Sequence, residues 1–231
     1  MTKLEINDKL HLLPSKWNEL TREQLLEFCR VQLLETTEDY RKILMLKHFT
    51  GLDYDKLMEI PGGDLPRVLS RISFLFHEVQ LTTNLLGDIE GMPSPEPALT
   101  NFTFEQFLGY TEPYHYSIQV GKWNDVDNLL NCMYNFNGPE ANFKKIKALS
   151  EVEKLAVYYF YCGCSNFIHK KFKNVFTSSP EKRSKPDGME FIRLVNSLNL
   201  GDVSKNSSIK TNNLYESLQF LSDLIEKNSK K

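Results

Sequence analysis

The chain has 231 residues, of which 41% are hydrophobic, 12% aromatic and 25% charged; 28 Lys and Arg against 30 Asp and Glu leave a formal net charge of −2. These proportions belong to a folded globular chain and exclude the disordered, collagen-like and disulfide-scaffold classes. The lack of a positive excess speaks against a general nucleic-acid binder, and no apolar run reaches the roughly 18 residues of a membrane-spanning helix.

Residues 1–20 read as a lead-in arm. Its Glu5 and Asp8, and the lack of a long apolar block, argue against a secretory signal. A cytoplasmic protein is therefore expected, with its cysteines (Cys29, Cys132, Cys162 and Cys164) as reduced interior thiols. Thr21 and Gln24 form a capping box, and Leu20 and Leu25 occupy the positions of a hydrophobic staple. Leu25, Phe28, Cys29, Gln32 and Leu33 then repeat at helical spacing, which predicts a helix ending near Leu34 to Thr36. A second helix fits 37–50, stopped by Gly51. A short one fits 54–59 behind Asp53, and another follows Asp64 and carries Leu65, Val68, Leu69, Ile72, Leu75 and Phe76.

From Gln80 to Asn101 the pattern changes. Gly87, Gly91, Pro93, Pro95 and Pro97 predict a surface loop, with a short extended piece at 79–86. Thr103 and Gln106 make a second capping box; the helix behind it is expected to end or kink at Pro113. Residues 122–135 suit a further helix, ended by Asn137-Gly138-Pro139. Ser150 and Glu153 make a third capping box, before an apolar stretch of about 25 residues, long against the roughly 12-residue mean. Val157, Tyr161, Cys164, Ile168, Phe172 and Val175 follow one of its faces. A polar linker at 177–187, a helix at 188–200, a loop through Gly201 and Asp202 and a last helix at 213–228 complete the chain. The expected fold is all-α: one domain, 1–231, an irregular multi-helix bundle around a central apolar helix with one long Pro/Gly-rich loop. Its sub-parts are 1–86, the loop 87–101, the central helices 102–176 and a C-terminal helical pair 187–231.

Few residues suggest chemistry. Cys162-Gly163-Cys164 with His169 is the most tempting set. On a helix, however, residues two apart point about 200° from one another, and Cys162 and His169 are separated by about 10.5 Å of rise. They read as structural cysteines unless Gly163 breaks the helix. His77-Glu78 opens a zinc-protease pattern, but Leu81 stands where the second histidine belongs. Asp53-Tyr54-Asp55 and Asp125-Val126-Asp127 are followed by Leu57 and Leu129, which offer a calcium ion no side-chain oxygen, and both read as helix starts. The histidines at 11, 48, 77, 115 and 169 are dispersed, and no phosphate-binding or nucleophile-elbow motif occurs. No catalytic residue, no metal ligand and no cofactor is therefore expected. Two basic groups, His169 to Lys173 and Lys182 to Lys185, would have to act together to bind nucleic acid. Tyr110, Tyr114, Tyr116 and Trp123 cluster around Pro113 and are the candidate partner-binding residues, with core packing as the competing explanation. The loop 87–98 is a second candidate contact.

Several stretches together carry a resemblance to a family of phage and prophage tail-module proteins. Pro14-Ser15-Lys16-Trp17-Asn18-Glu19-Leu20-Thr21 with Gln24-Leu25 resembles the family's opening, and Leu81-Thr82-Thr83-Asn84-Leu85 its mid-chain turn. Leu99 to Phe107 is similar to its next helix start, and Phe160-Tyr161-Cys162-Gly163-Cys164 with Phe172 to Phe176 to its central helix and exit. Leu194 to Asp202 and Leu214 to Leu224 resemble its closing helices; Ser165 departs from the basic residue the family often carries after the Gly-Cys pair. The resemblance implies a non-enzymatic role in tail morphogenesis, similar to a tail assembly chaperone, in the host cytoplasm. The implied partner is a tape-measure-like or other tail protein, with neither membrane nor nucleic acid involved and self-association left open. The alternatives are a structural or adaptor protein of the virion, a nucleic-acid-binding regulator acting through residues 170–185, and an enzyme with a dispersed site.

Overall fold

The computed structural model describes residues 1–6, 9–134, 139–176, 190–199 and 202–229. Its elements, in chain order, are strands β1 (Thr2–Ile6) and β2 (Lys9–Leu13), then helices α1 (Arg22–Gln32), α2 (Glu38–Thr50), α3 (Tyr54–Met58) and α4 (Leu65–Ser70). A π-helical segment, Glu105–Thr111, runs directly into α5 (Glu112–Gln119). Next come α6 (Val126–Tyr134), α7 (Pro139–Ala148), α8 (Glu151–Lys171), α9 (Lys173–Phe176), α10 (Glu190–Leu198), α11 (Asn206–Thr211) and α12 (Leu214–Ser229). The chain is thus mostly helical, as expected, with one addition. The lead-in arm contains an antiparallel hairpin in which Lys3 faces Leu12, Leu4 faces His11 and Glu5 faces Leu10.

The three capping boxes form as read. Thr21 accepts from the Gln24 amide at 3.2 Å while the Gln24 side chain accepts from the Thr21 amide at 2.9 Å. Thr103 with Gln106 and Ser150 with Glu153 repeat this exchange. Thr37 caps α2, and Gly51, at φ 68°, supplies the left-handed residue that ends it. Asp64 makes no cap bond; its carboxylate pairs with Arg67 at 3.0 Å instead.

The described chain divides into two compact units, residues 1–87 with 149–164 and residues 88–148 with 165–231. In the first unit Trp17 centres an aromatic core. It meets Phe28 edge-on at 5.4 Å and stacks on Tyr159 at 5.7 Å, and Phe28 in turn meets Phe76 at 5.8 Å. Such pairs contribute about 0.5–1.5 kcal/mol each beyond the area they bury. Leu20 and Leu25, the staple pair, are both buried in this unit.

The second unit is built on Phe102, Phe104, Phe107, Leu129, Leu130, Met133, Ile168, Leu214 and Leu218, all fully buried. The starts of two of its helices are fastened to each other. The Phe104 amide donates to the Asn212 carbonyl at 3.0 Å and the Leu214 amide to the Phe102 carbonyl at 2.9 Å. Asn213 reaches the Thr100 carbonyl at 2.9 Å and also accepts from the Tyr215 amide at 2.9 Å.

Several expectations are corrected. No strand forms over 79–86, where the Leu86 amide instead donates to Asn84 Oδ1 at 3.1 Å in a tight turn. The segment 87–101 is irregular but is no mere surface loop, because Ile89, Met92, Pro95 and Leu99 are buried. Enough apolar side chains lie between its prolines to pack it down. Ala98 and Leu99 sit at positive φ there, and the Tyr215 hydroxyl donates to the Ala98 carbonyl at 2.7 Å.

Pro113 does not stop its helix, which continues to Gln119. An interior proline lacks one N–H and crowds the carbonyl four residues earlier; the preceding turn accommodates it by widening to π-helical bonding. Helices α7 and α11 were not expected, and the long apolar stretch is divided into α8 and α9 at Phe172. The linker expected at 177–187 lies outside the described residues.

Candidate functional site

The helical run from Glu105 to Gln119 has two sides of different chemistry, both within the second unit. On the inner side Glu112 and His115 are three residues apart and share a face. Ser165 and His169, four apart on α8, share another. The Ser165 hydroxyl donates to Glu112 Oε1 at 2.8 Å, and His169 Nε2 lies 3.4 Å from Glu112 Oε2. The His169 ring rests against Phe176 at 4.2 Å and meets Phe107 edge-on at 6.3 Å. Gln119 Nε2 lies 3.0 Å from His115 Nε2.

The electrostatics follow from burial. Desolvation is the largest single influence on Glu112 and pushes its pKa up, but the His169 imidazole beside it, then the Ser165 hydroxyl, outweigh it and leave the pKa lowered. His115 is buried; desolvation lowers its pKa, only partly opposed by the Glu112 charge. The arrangement is therefore an ionised carboxylate between a hydroxyl and an imidazole. In a hydrolytic triad the hydroxyl points at the imidazole, which the carboxylate orients from behind. Here the hydroxyl is spent on the carboxylate itself, so the cluster ties the helix at Glu112 to α8.

The other chemical candidates take structural positions. The helix α8 runs unbroken through Gly163. Cys164 is buried with its sulfur 3.8 Å from the Thr82 carbonyl oxygen, Cys162 is half-buried, and none of the four cysteines is in a disulfide. Burial pushes the Cys29 thiol up strongly and that of Cys132 to about 11, far from a reactive thiolate. Among the described residues no group of three or more His, Cys, Asp or Glu is placed to hold a metal ion, and no helix is long and apolar enough to cross a membrane. Lys170, Lys171 and Lys173 are exposed, with the Lys171 ammonium 4.7 Å above the Tyr215 ring. Lys182, Arg183 and Lys185 lie outside the described residues.

The four aromatic candidates separate. Tyr110 and Tyr116 are 47% and 48% exposed, whereas Tyr114 and Trp123 are half-buried. None is a core residue. Pro113 and Val120, which the sequence reading passed over, are exposed as well. Tyr110, Pro113, Tyr116 and Val120 follow one another at steps of three, three and four residues, which keeps them on one outward face of the helix. The apolar side chains of the 87–98 segment, by contrast, are turned inward at Ile89 and Met92. The Glu112 cluster had a sequence signal too, Glu112-x-x-His115 and Ser165-x-x-x-His169, each at one-face helical spacing. No protein-family model, curated protein or solved structure matches the chain.

Proposed function

We propose that this chain is a non-enzymatic protein-binding factor of phage or prophage tail morphogenesis, similar to a tail assembly chaperone that holds a tape-measure-like protein. The observation that supports a binding role is the exposed Tyr110–Pro113–Tyr116–Val120 face. Aromatic side chains exposed in a row contribute large contact area at small entropic cost and concentrate where proteins dock. Such a face suits the apolar stripe of an amphipathic helix, the form in which a coiled-coil-rich partner presents itself. The Glu112–Ser165–His169 cluster holds the helix from its inner side, so the face is presented on a fixed backbone. The assignment to tail assembly rests on the sequence resemblance.

Co-expression with a tape-measure-like protein, long and rich in coiled coil, tests the reading. Rescue of that protein's solubility and its co-purification are expected; an insoluble partner that fails to co-purify refutes the proposal. Presence of the chain in purified particles would turn the reading towards a virion adaptor.

A further inference from the structure

The hairpin differs in kind from the helical rest of the described fold. Among the described residues β1 and β2 form a sheet of two strands only. A sheet this small is marginal unless its faces or edges find partners. One face is satisfied within the first unit, where Ile6 and Leu13 are buried and Thr2, Leu4 and His11 half-buried. The opposite face is not. Lys3, Glu5, Leu10 and Leu12 all point to solvent, the two leucines 62% and 59% exposed. Strand β2 rests against α2, and among the described residues β1 pairs with no strand but β2. That makes β1 the edge more open to pairing.

Its sequence, Thr-Lys-Leu-Glu-Ile, complements itself. When two copies of β1 run antiparallel, residues directly opposite must belong to the same face, because a slip of one would place core-facing against solvent-facing side chains. Only three well-overlapped registers satisfy this, centred on Lys3, Leu4 or Glu5. Centring on Lys3 sets that lysine against its own copy, and centring on Glu5 sets glutamate against glutamate. Centring on Leu4 sets Lys3 against Glu5 of the second copy, and Glu5 against Lys3. Opposite charges in this position attract and like charges repel. The same register continues across the exposed face as Leu12, Lys3, Glu5 of the second copy and Leu10 of the second copy. Each lysine and glutamate then lies between a leucine and its opposite charge.

We infer that the protein self-associates as a two-fold dimer, in which β1 pairs antiparallel about Leu4 with β1 of a second copy to form a four-stranded sheet. The relation is isologous, as a closed dimer requires, since Lys3 meets Glu5 and Glu5 meets Lys3. Five residues of strand make a small interface, so the dimer is of the weak, concentration-dependent kind.

Charge exchange tests this. Sedimentation velocity on the full chain, carrying a C-terminal tag and followed from dilute solution to the solubility limit, reads the monomer–dimer balance. Wild type is expected to shift to dimer. Lys3→Glu and Glu5→Lys each turn two attractive pairs into repulsive ones and are expected to weaken the dimer by about tenfold or more. The double exchange Lys3→Glu with Glu5→Lys restores opposite charges in the same register and is expected to restore the dimer. The three variants alter only solvent-facing positions, and unchanged circular dichroism and melting would show that folding is intact. A wild type that stays monomeric throughout, a dimer indifferent to the single changes, or a double exchange that fails to restore it would each overturn the inference.

Discussion

Gly163 of α8 and the backbone of Leu81 lie so close that a methyl group on Gly163 would sit 2.2 Å from the Leu81 carbonyl oxygen. The glycine of the Cys-Gly-Cys run is thus a contact point between helix and turn rather than part of a ligand site. Two effects oppose each other on replacing it with alanine. Alanine favours a helix by about 1 kcal/mol over glycine. Overpacking costs about 1–3 kcal/mol, occasionally more, and here the obstacle is backbone, which cannot swing aside. With backbone as the obstacle the cost lies at the upper end, about 3 kcal/mol or more, so after the helix gain of about 1 Gly163→Ala is expected to destabilise the protein by roughly 2 kcal/mol or more, measured by urea denaturation. An unchanged or raised midpoint would show that the turn at Leu81 yields.

The Glu112 cluster predicts how stability responds to acid. A carboxylate whose folded pKa is lowered adds stability that is present above its ordinary value of 4.5 and is lost as pH falls through the folded value. His115, with its folded pKa lowered, resists protonation; stability is full above its ordinary value of 6.5 and declines as pH drops below it. Denaturation midpoints are thus expected to fall in two stages on acidification. Glu112→Gln should flatten the lower stage and cost about 1.5–3 kcal/mol at neutral pH, the range for hydrogen bonds to charged groups. His115→Gln should flatten the upper stage. Identical pH profiles for Glu112→Gln and wild type would contradict the assignment.

At the start of α8 the Ser150 hydroxyl accepts from the Glu153 amide at 3.3 Å, and Glu153 accepts from the Ser150 amide at 2.9 Å. Ser150→Ala is expected to cost about 0.5–2 kcal/mol, as cap removals do. Thermal melts check this, and a change confined to a few tenths of a kcal/mol would place the end of α8 under the control of packing instead.

Helix starts were legible because caps are local. Thr21, Thr103 and Ser150 each announced themselves by a glutamine or glutamate three residues on. The hairpin was not, because Lys3-Leu4-Glu5-Ile6 alternates over too few residues to stand out from an irregular arm. Pro113 left an end and a kink both open for a related reason. Proline reports that an α-helical bond is missing, but not that the turn before it can widen and carry the helix on. Gly163 announced conformational freedom, whereas its importance is the space it leaves for Leu81, a residue more than eighty positions away. Sequence separation also hid the Glu112 cluster: Glu112-x-x-His115 and Ser165-x-x-x-His169 have helical spacing, but Glu112 and Ser165 are 53 positions apart and only the tertiary fold brings them together. The aromatic residues around Pro113 could be picked out by composition, yet composition does not distinguish outward Tyr110 and Tyr116 from half-buried Tyr114 and Trp123.

The proposed binding face can be tested without disturbing the fold. Tyr110 and Tyr116 are about half exposed, and surface replacements of this kind usually change stability by within about 0.5 kcal/mol. The most direct measurement is the affinity of the chain for the proposed partner class, a tape-measure-like protein rich in coiled coil, by titration calorimetry, for wild type and for Tyr110→Ala with Tyr116→Ala. The account predicts an unchanged melting temperature and an affinity at least about tenfold weaker, the loss typical of interface aromatics worth more than about 1 kcal/mol each. Equal affinity in the two proteins would show that this face does not hold the partner.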